Sequence, residues 1–260
     1  ANSGTAGYFA GGQERNGSSA VINIIDKLIF SNDSCSAIGP VLSAATFYPS
    51  GAANSGTAAY WFGGDTGSVT NKIDKTAFSD DSTAAITPTL TAVATYGSAF
   101  ANSGTAAYIV MGHNGSAGTR NVNKTAFSDD STSNLGDLLS SQARYLSRSA
   151  GQKGTHGYVA GGYPCGDPYL ATVNKFAFSD DSRSTLSTGL SQGLYSPGGA
   201  ALTGTAGYFV GGTCCAGVSW TKQTQGERFA FADDSRSVIA SVFATGTSNA
   251  GFGFANEGTL

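Results

Sequence analysis

The chain has 260 residues, 37 of them glycine and 6 proline, with 12% charged residues and a formal net charge of −3. Glycine is about twice its usual share and charge about half. No basic stripe is present, so nucleic acid is not an expected partner. No stretch reaches the roughly 18 consecutive apolar residues of a spanning helix, so membrane insertion is not expected either.

The first segment, ANSGTAGYFAGG (1–12), is a short apolar run ending in Gly11-Gly12. A polar loop follows, QERNGSS (13–19), and then VINIIDKLIF (21–30), an apolar run broken by Asp26 and Lys27. The acidic turn SNDS (31–34), the segment GPVLSAA (39–45) and FYPSGAAN (47–54) complete the unit. The next unit repeats the order: GTAAYWFGG (56–64), DTGSVT (65–70), IDKTAFSDDST (73–83). The phrase KTAFSDDST recurs letter for letter at 124–132, with close variants from Lys175 and Arg228.

Two anchors set the period. The tyrosine of the GTAGY phrase falls at Tyr8, Tyr60, Tyr108, Tyr158 and Tyr208, in steps of 52, 48, 50 and 50. The phenylalanine before the acidic turn falls at Phe30, Phe78, Phe127, Phe178 and Phe231, in steps of 48, 49, 51 and 53. Each unit of about 50 residues contains four short alternating segments between Gly, Asn, Asp and Ser turns, the pattern of strands. We denote them a to d, with a the small-residue segment (GSAFAN, 97–102) and b the run ending in glycines. Segment c carries the cation and phenylalanine, and d is the weaker segment after the acidic turn. No apolar stripe of helical period occurs.

This spacing predicts an all-β fold: a five-bladed β-propeller of four-stranded antiparallel blades, one domain over 1–260. The C-terminal FGFANEGTL (252–260) matches FANSGTAAY (100–108) through the a–b turn. The expectation is that this last strand a pairs with the N-terminal strand b and closes the ring, hiding an open sheet edge. The chain begins with Ala and its one methionine is Met111, which reads as a processed or incomplete chain.

Antiparallel order puts the a–b and c–d turns on one face and the b–c and d–a loops on the other. The first face is nearly constant around the ring. Nine of the 17 acidic residues lie in its c–d turns, where Asp, Asn and Ser are ordinary turn formers. Weak Ca²⁺ binding there is a conceivable cofactor role, but two adjacent aspartates fall short of the roughly six to eight oxygen ligands that calcium takes. The shared cation Lys27, Lys75, Lys124, Lys175 or Arg228 is placed at a blade seam, where it needs an anionic partner. The acidic turns are the candidates.

The second face varies in length and chemistry, as binding loops on a rigid scaffold do. Its candidate ligand-binding residues are Tyr48, Tyr96, Asn114, Arg120, Tyr145, Tyr163, Asp167, Tyr169, Tyr195 and Trp220. Aromatic rings beside Asn, Asp and Arg suit sugars, whose apolar faces stack while the hydroxyls take hydrogen bonds. Cys165, Cys214 and Cys215 lie in neighbouring loops and are disulfide candidates. His113 and His156 fall in different units with no nucleophile pattern around them, and no unique carboxylate pair stands out, so catalytic residues are not expected.

The aromatic–x–x–Gly-Gly strand ends resemble the kelch repeat, without its tryptophan. GYFAGG, IDKLIFSNDS and GPVLSAA (7–45) also resemble repeats of marine cyanophage tail-fibre and structural proteins. That resemblance implies a virion or secreted surface-binding role; with the loop aromatics, the expected partner is a cell-surface glycan or other host surface, and self-assembly into an oligomer or fibre is an alternative role. The leading expectation is a non-enzymatic, lectin-like binding propeller. The alternatives are a structural subunit of an extracellular fibre, filament or virion, and a glycan-active enzyme.

Overall fold

In a computed structural model, residues 4–14, 20–146, 150–152, 154–164, 168–216, 219–240, 242–245 and 255–256 are described. The first sheet contains β1 (Ala6–Ala10), β2 (Ile25–Ile29) and β3 (Ser34–Ala37); the second β4 (Ser50–Asn54), β5 (Ala58–Phe62), β6 (Ile73–Ala77) and β7 (Thr83–Ile86). The third contains β8 (Ser98–Asn102), β9 (Ala106–Val110), β10 (Asn121–Ala126) and β11 (Thr132–Asp137); the fourth β12 (Ala150–Gln152), β13 (His156–Ala160), β14 (Val173–Ala177) and β15 (Arg183–Thr185). The fifth is built from β16 (Gly198–Leu202), β17 (Ala206–Val210), β20 (Gly226–Ala230) and β21 (Arg236–Ile239). A hairpin of β18 (Thr213–Ala216) and β19 (Ser219–Lys222) rises from its b–c loop. The antiparallel sheets stand in a ring: the molecule is a five-bladed β-propeller with four-stranded blades, as the repeat predicts.

At the closure the last strand, β22 (Ala255–Asn256), runs parallel to β16, pairing Ala201 with Ala255 and Leu202 with Asn256; among the described residues no ladder joins it to β1. The register follows the repeat. Ala255 and Asn256 correspond to Ala101 and Asn102 of β8, and Ala201 and Leu202 hold the same two places in β16. Strand a of each blade runs parallel to its neighbour, so β22 takes the place beside β16 that the next strand a would occupy. The rest of 251–260 lies outside the described residues.

Strand b is buried on both faces, every residue of β5 and β9 included, because neighbouring blades cover it on either side. Outer strand β3 is exposed at all four residues. The core is accordingly a series of seams. Each apolar cluster mixes residues of two successive blades, as where Tyr60, Phe62 and Ile73 meet Ile109, Met111 and Phe127. Leu42, Leu90, Leu139 and Leu190 plug these seams and are at most 5% exposed. They are the leucines of GPVLS and its variants, so that motif is explained by packing.

The closing glycines of strand b are there for close approach. Gly63, at φ 62°, would place a Cβ 2.2 Å from the Ala94 carbonyl oxygen. At Gly64 a Cβ would meet the Thr46 side chain at 2.3 Å, while its N–H donates to Ala94 O at 2.7 Å. The d–a crossings thus run directly over this turn, and only glycine lets them through.

Four seams carry one four-part clamp. Tyr60 and Lys75, opposite each other on β5 and β6, both bond Asp130 of the next blade: Tyr60 Oη to Oδ1 at 2.7 Å and Lys75 Nζ to the two oxygens at 2.9 and 2.8 Å. The Phe127 ring lies 5.1 Å from Tyr60. The same contacts join Tyr8 and Lys27 to Asp81 and Phe78, Tyr108 and Lys124 to Asp181 and Phe178, and Tyr158 and Lys175 to Asp234 and Phe231. The cation is therefore a seam residue, as expected, but its partner is the acidic turn of the following blade.

Every accepting aspartate sits at φ 56–60° together with Asp33, a left-handed position that Asp tolerates better than most residues. Its predecessor Asp80, Asp129, Asp180 or Asp233 accepts the Ser N–H two residues on. Hydrogen bonds from the side chain and backbone of that serine hold all four carboxyls below their usual range. Burial first, and the bond to Asp130 second, push the Tyr60 hydroxyl up to about 12.

At the fifth seam the corresponding residues are Tyr208, Arg228, Phe30 and Asp33. Tyr208 and Arg228 are opposite each other in register, yet the clamp is not made among the described residues, and Phe30 is 39% exposed.

Candidate functional site

The faces that the strand order separates differ in structure as they do in sequence. The acidic turns are committed to seams, one aspartate capping its own turn and the next bonding the preceding blade. Among the described residues no group of three or more His, Cys, Asp or Glu side chains converges.

On the opposite face the d–a crossings bring tyrosines together at the centre of the ring. Tyr48, Tyr96 and Tyr145 hold one repeat position, each at φ 52–54°, as the chain turns from the loop into strand a. Their rings form a ladder across successive blades, with centroids 4.4 Å apart from Tyr48 to Tyr96 and 4.2 Å from Tyr96 to Tyr145. Phe47 packs at one end, 3.7 Å from Tyr48. Tyr195 continues the other end, 4.5 Å from Tyr145, although it comes from the preceding repeat position; Ser196 occupies the equivalent place at φ 46°. The backbone follows the same path: Tyr145 N donates to Tyr96 O at 3.0 Å and Ser196 N to Tyr145 O at 2.9 Å.

Tyr145 lies between Tyr96 and Tyr195, so the three phenols are close neighbours. Burial first, with the neighbouring phenols, pushes Tyr96 and Tyr195 well above the ordinary phenol range. They stay neutral and offer donor and acceptor together. Most ring faces in the ladder are spent on other rings, so it presents edges and hydroxyls more than stacking platforms.

The b–c loops are tied to this centre by paired backbone bonds: Phe47 with Asp65, Thr95 with His113, Arg144 with Tyr163, Tyr195 with Thr213. These pairs put His113 6.3 Å from the Tyr96 ring. The Arg144 guanidinium carbon lies 5.0 Å from the Tyr163 ring and 5.6 Å from that of Tyr145. Burial, then the nearby Arg144 charge, lowers the His113 pKa. Asp65 caps its own turn at Gly67 N, 2.9 Å away.

Other predicted residues take different places. Asn114 is exposed, its Oδ1 accepting from Ser116 and Ala117 N–H at 3.0 and 2.9 Å. Arg120 braces its own blade, Nε donating to Leu139 O at 2.7 Å. Tyr169 is only 4% exposed and packs edge-on to Tyr163 at 5.7 Å, so it shapes the site from beneath. Trp220 lies on β19, in register with Cys215. Cys214 is buried in the fifth-blade core, its Sγ accepting from Gln223 Nε2. Asp167 and Cys165 lie outside the described residues. Nothing in the sequence marks Arg144 or His113 as site residues; the crossings bring them beside the tyrosines.

No family model matches the chain, and no curated protein matches it.

Proposed function

We propose that this propeller is a non-enzymatic recognition module that binds glycans on a cell or host surface through its b–c and d–a loop face, as an extracellular or virion-borne domain would. One observation carries the reading. The tyrosine ladder gathers neutral hydroxyls at the centre of the variable face, while the constant face is occupied by seam bonds. A polyhydroxylated ligand matches a site with paired donor and acceptor capacity, edged by aromatic carbon. Asn114, His113 and the rim of Arg144 and Tyr163 supply further polar contacts.

The test is a glycan array probed with the intact protein, followed by Tyr96→Phe and Tyr145→Phe. Binding to a restricted set of sugars, weakened on the order of tenfold by loss of a hydroxyl, is the expected result. Absence of any sugar ligand, or binding indifferent to both substitutions, refutes the proposal.

A second reading, a subunit of a fibre or filament, is favoured by the exposed edge of β3 and by the seam residues Tyr208, Arg228, Phe30 and Asp33, whose clamp is not made. It predicts ordered polymers by electron microscopy, lost on Asp33→Arg.

A further inference from the structure

We propose that the ligand carries an anionic group, a carboxylate or sulfate on a sugar, and that Arg144 receives it. This rests on the glycan-binding reading of the variable face and names the class of sugar.

Arg144 is fixed in the d–a crossing by two backbone bonds with Tyr163, N to O at 3.0 Å and O to N at 2.7 Å. The Tyr163 and Tyr145 rings flank its guanidinium. Such walls hold a planar cation, strip part of its water and leave its edge for a partner in plane. No partner is present among the described residues: Arg144 Nε is buried and unbonded. Arg120, Arg183 and Arg236, by contrast, all donate to backbone carbonyls. A buried guanidinium donor without an acceptor is costly, so the position makes sense where the acceptor arrives from outside.

Two more buried hydroxyls on segments bridged to these loops and crossings lack partners among the described residues. Thr119 Oγ1 is unbonded, on a residue bridged to Ala143 immediately before Arg144. Thr95 Oγ1 is unbonded, on the residue bridged to His113. Burial first, and the Arg144 charge second, lower the His113 pKa, so the two side chains sense each other. A tetrahedral or planar oxyanion can accept from a guanidinium and hydroxyls together.

Methyl glucuronide and methyl glucoside differ at one carbon, carboxylate against hydroxymethyl, and serve as probes with the intact protein. Nuclear magnetic resonance of the His113 ring reports the site. We expect the glucuronide to give saturable shifts and to raise the His113 pKa as it offsets Arg144, and the glucoside to do neither. Arg144→Gln should weaken glucuronide binding on the order of tenfold or more. Arg144→Lys keeps the charge but loses the planar fork, and should fall between. Thermal melts of both variants establish that they fold, and inorganic sulfate should compete with the glucuronide. Equal binding of the two glycosides, unchanged by Arg144→Gln, overturns the acidic preference and leaves the glycan site standing. No binding of either glycoside and no array signal overturns the site itself.

Discussion

Replacing Asp130 by Asn tests the seam clamp with little change of shape. Asn tolerates the φ of 60° at this position as Asp does, so backbone strain is not introduced. The substitution removes the charge that accepts from Lys75 Nζ at 2.9 and 2.8 Å and from Tyr60 Oη at 2.7 Å. The Lys75 and Asp130 side chains are 29% and 22% exposed, so the ion pair is discounted to about 1 kcal/mol. Turning the Tyr60 bond from charged to neutral costs about 1 kcal/mol more. The sum, about 2 kcal/mol, corresponds to a fall in melting temperature of roughly 4–8 °C for a chain of this size. Calorimetry measures it, and a double-mutant cycle with Lys75→Met isolates the pair. Asp33→Asn is the control, since Asp33 has the same backbone angle and no clamp; it should change the melting temperature by less than about 1 °C. If Asp130→Asn is equally silent, or Asp33→Asn equally damaging, the clamp is not what joins the blades.

Three further outcomes follow from the geometry. The Tyr60 pKa is raised to about 12 by burial and the Asp130 bond, and those of Lys27 and Lys75 are raised as well. The folded state therefore holds protons that the unfolded chain releases near pH 10. Stability from these groups is full below about pH 10 and declines as the pH rises toward the folded pKa; denaturant titrations across this range check it, and Tyr60→Phe should flatten the decline. Gly63→Ala forces a Cβ to 2.2 Å from Ala94 O at φ 62° and should cost about 3 kcal/mol or abolish soluble expression. Gly67→Ala meets open space and should cost about 1 kcal/mol through its positive φ alone. Tyr145→Leu removes the ring that touches both Tyr96 and Tyr195; calorimetry should show a loss of about 2 kcal/mol, and array binding should disappear.

The blade plan was legible because repetition multiplies weak signals: five tyrosines and five phenylalanines in step say more than any one strand pattern. The two faces followed from strand order alone. What escaped the sequence was whatever depends on neighbours across a seam. Asp81 is 54 residues from Lys27, whereas Asp33 is close to it in sequence, so proximity along the chain points to the wrong turn. Tyr195 looks like the fourth copy of Tyr145 but sits one repeat position earlier, and only the crossing geometry shows that its ring still reaches the ladder. Tyr169 resembles an exposed loop aromatic until the fifth-blade crossing at Gly193, whose Cβ would lie 2.0 Å from Tyr169 O, is found pressed against it. The C-terminal motif keeps the repeat phase of strand a, and its described partner is β16, the neighbouring strand a on the ring.

The clamps also have a polarity. Each blade offers a hook, Tyr with its cation, on one side and an eye, Asp with its Phe, on the other. The four hooks engaged here are chemically alike, and so are the four eyes. Seams of this kind say that some blade must follow, never which one, so blade order rests on the covalent chain alone. A lineage built this way can lose, copy or exchange a blade without retuning either neighbour. Each such event would transplant one b–c loop and one aromatic rung, so the composition of the binding face can be reshuffled while the ring that holds it stays the same.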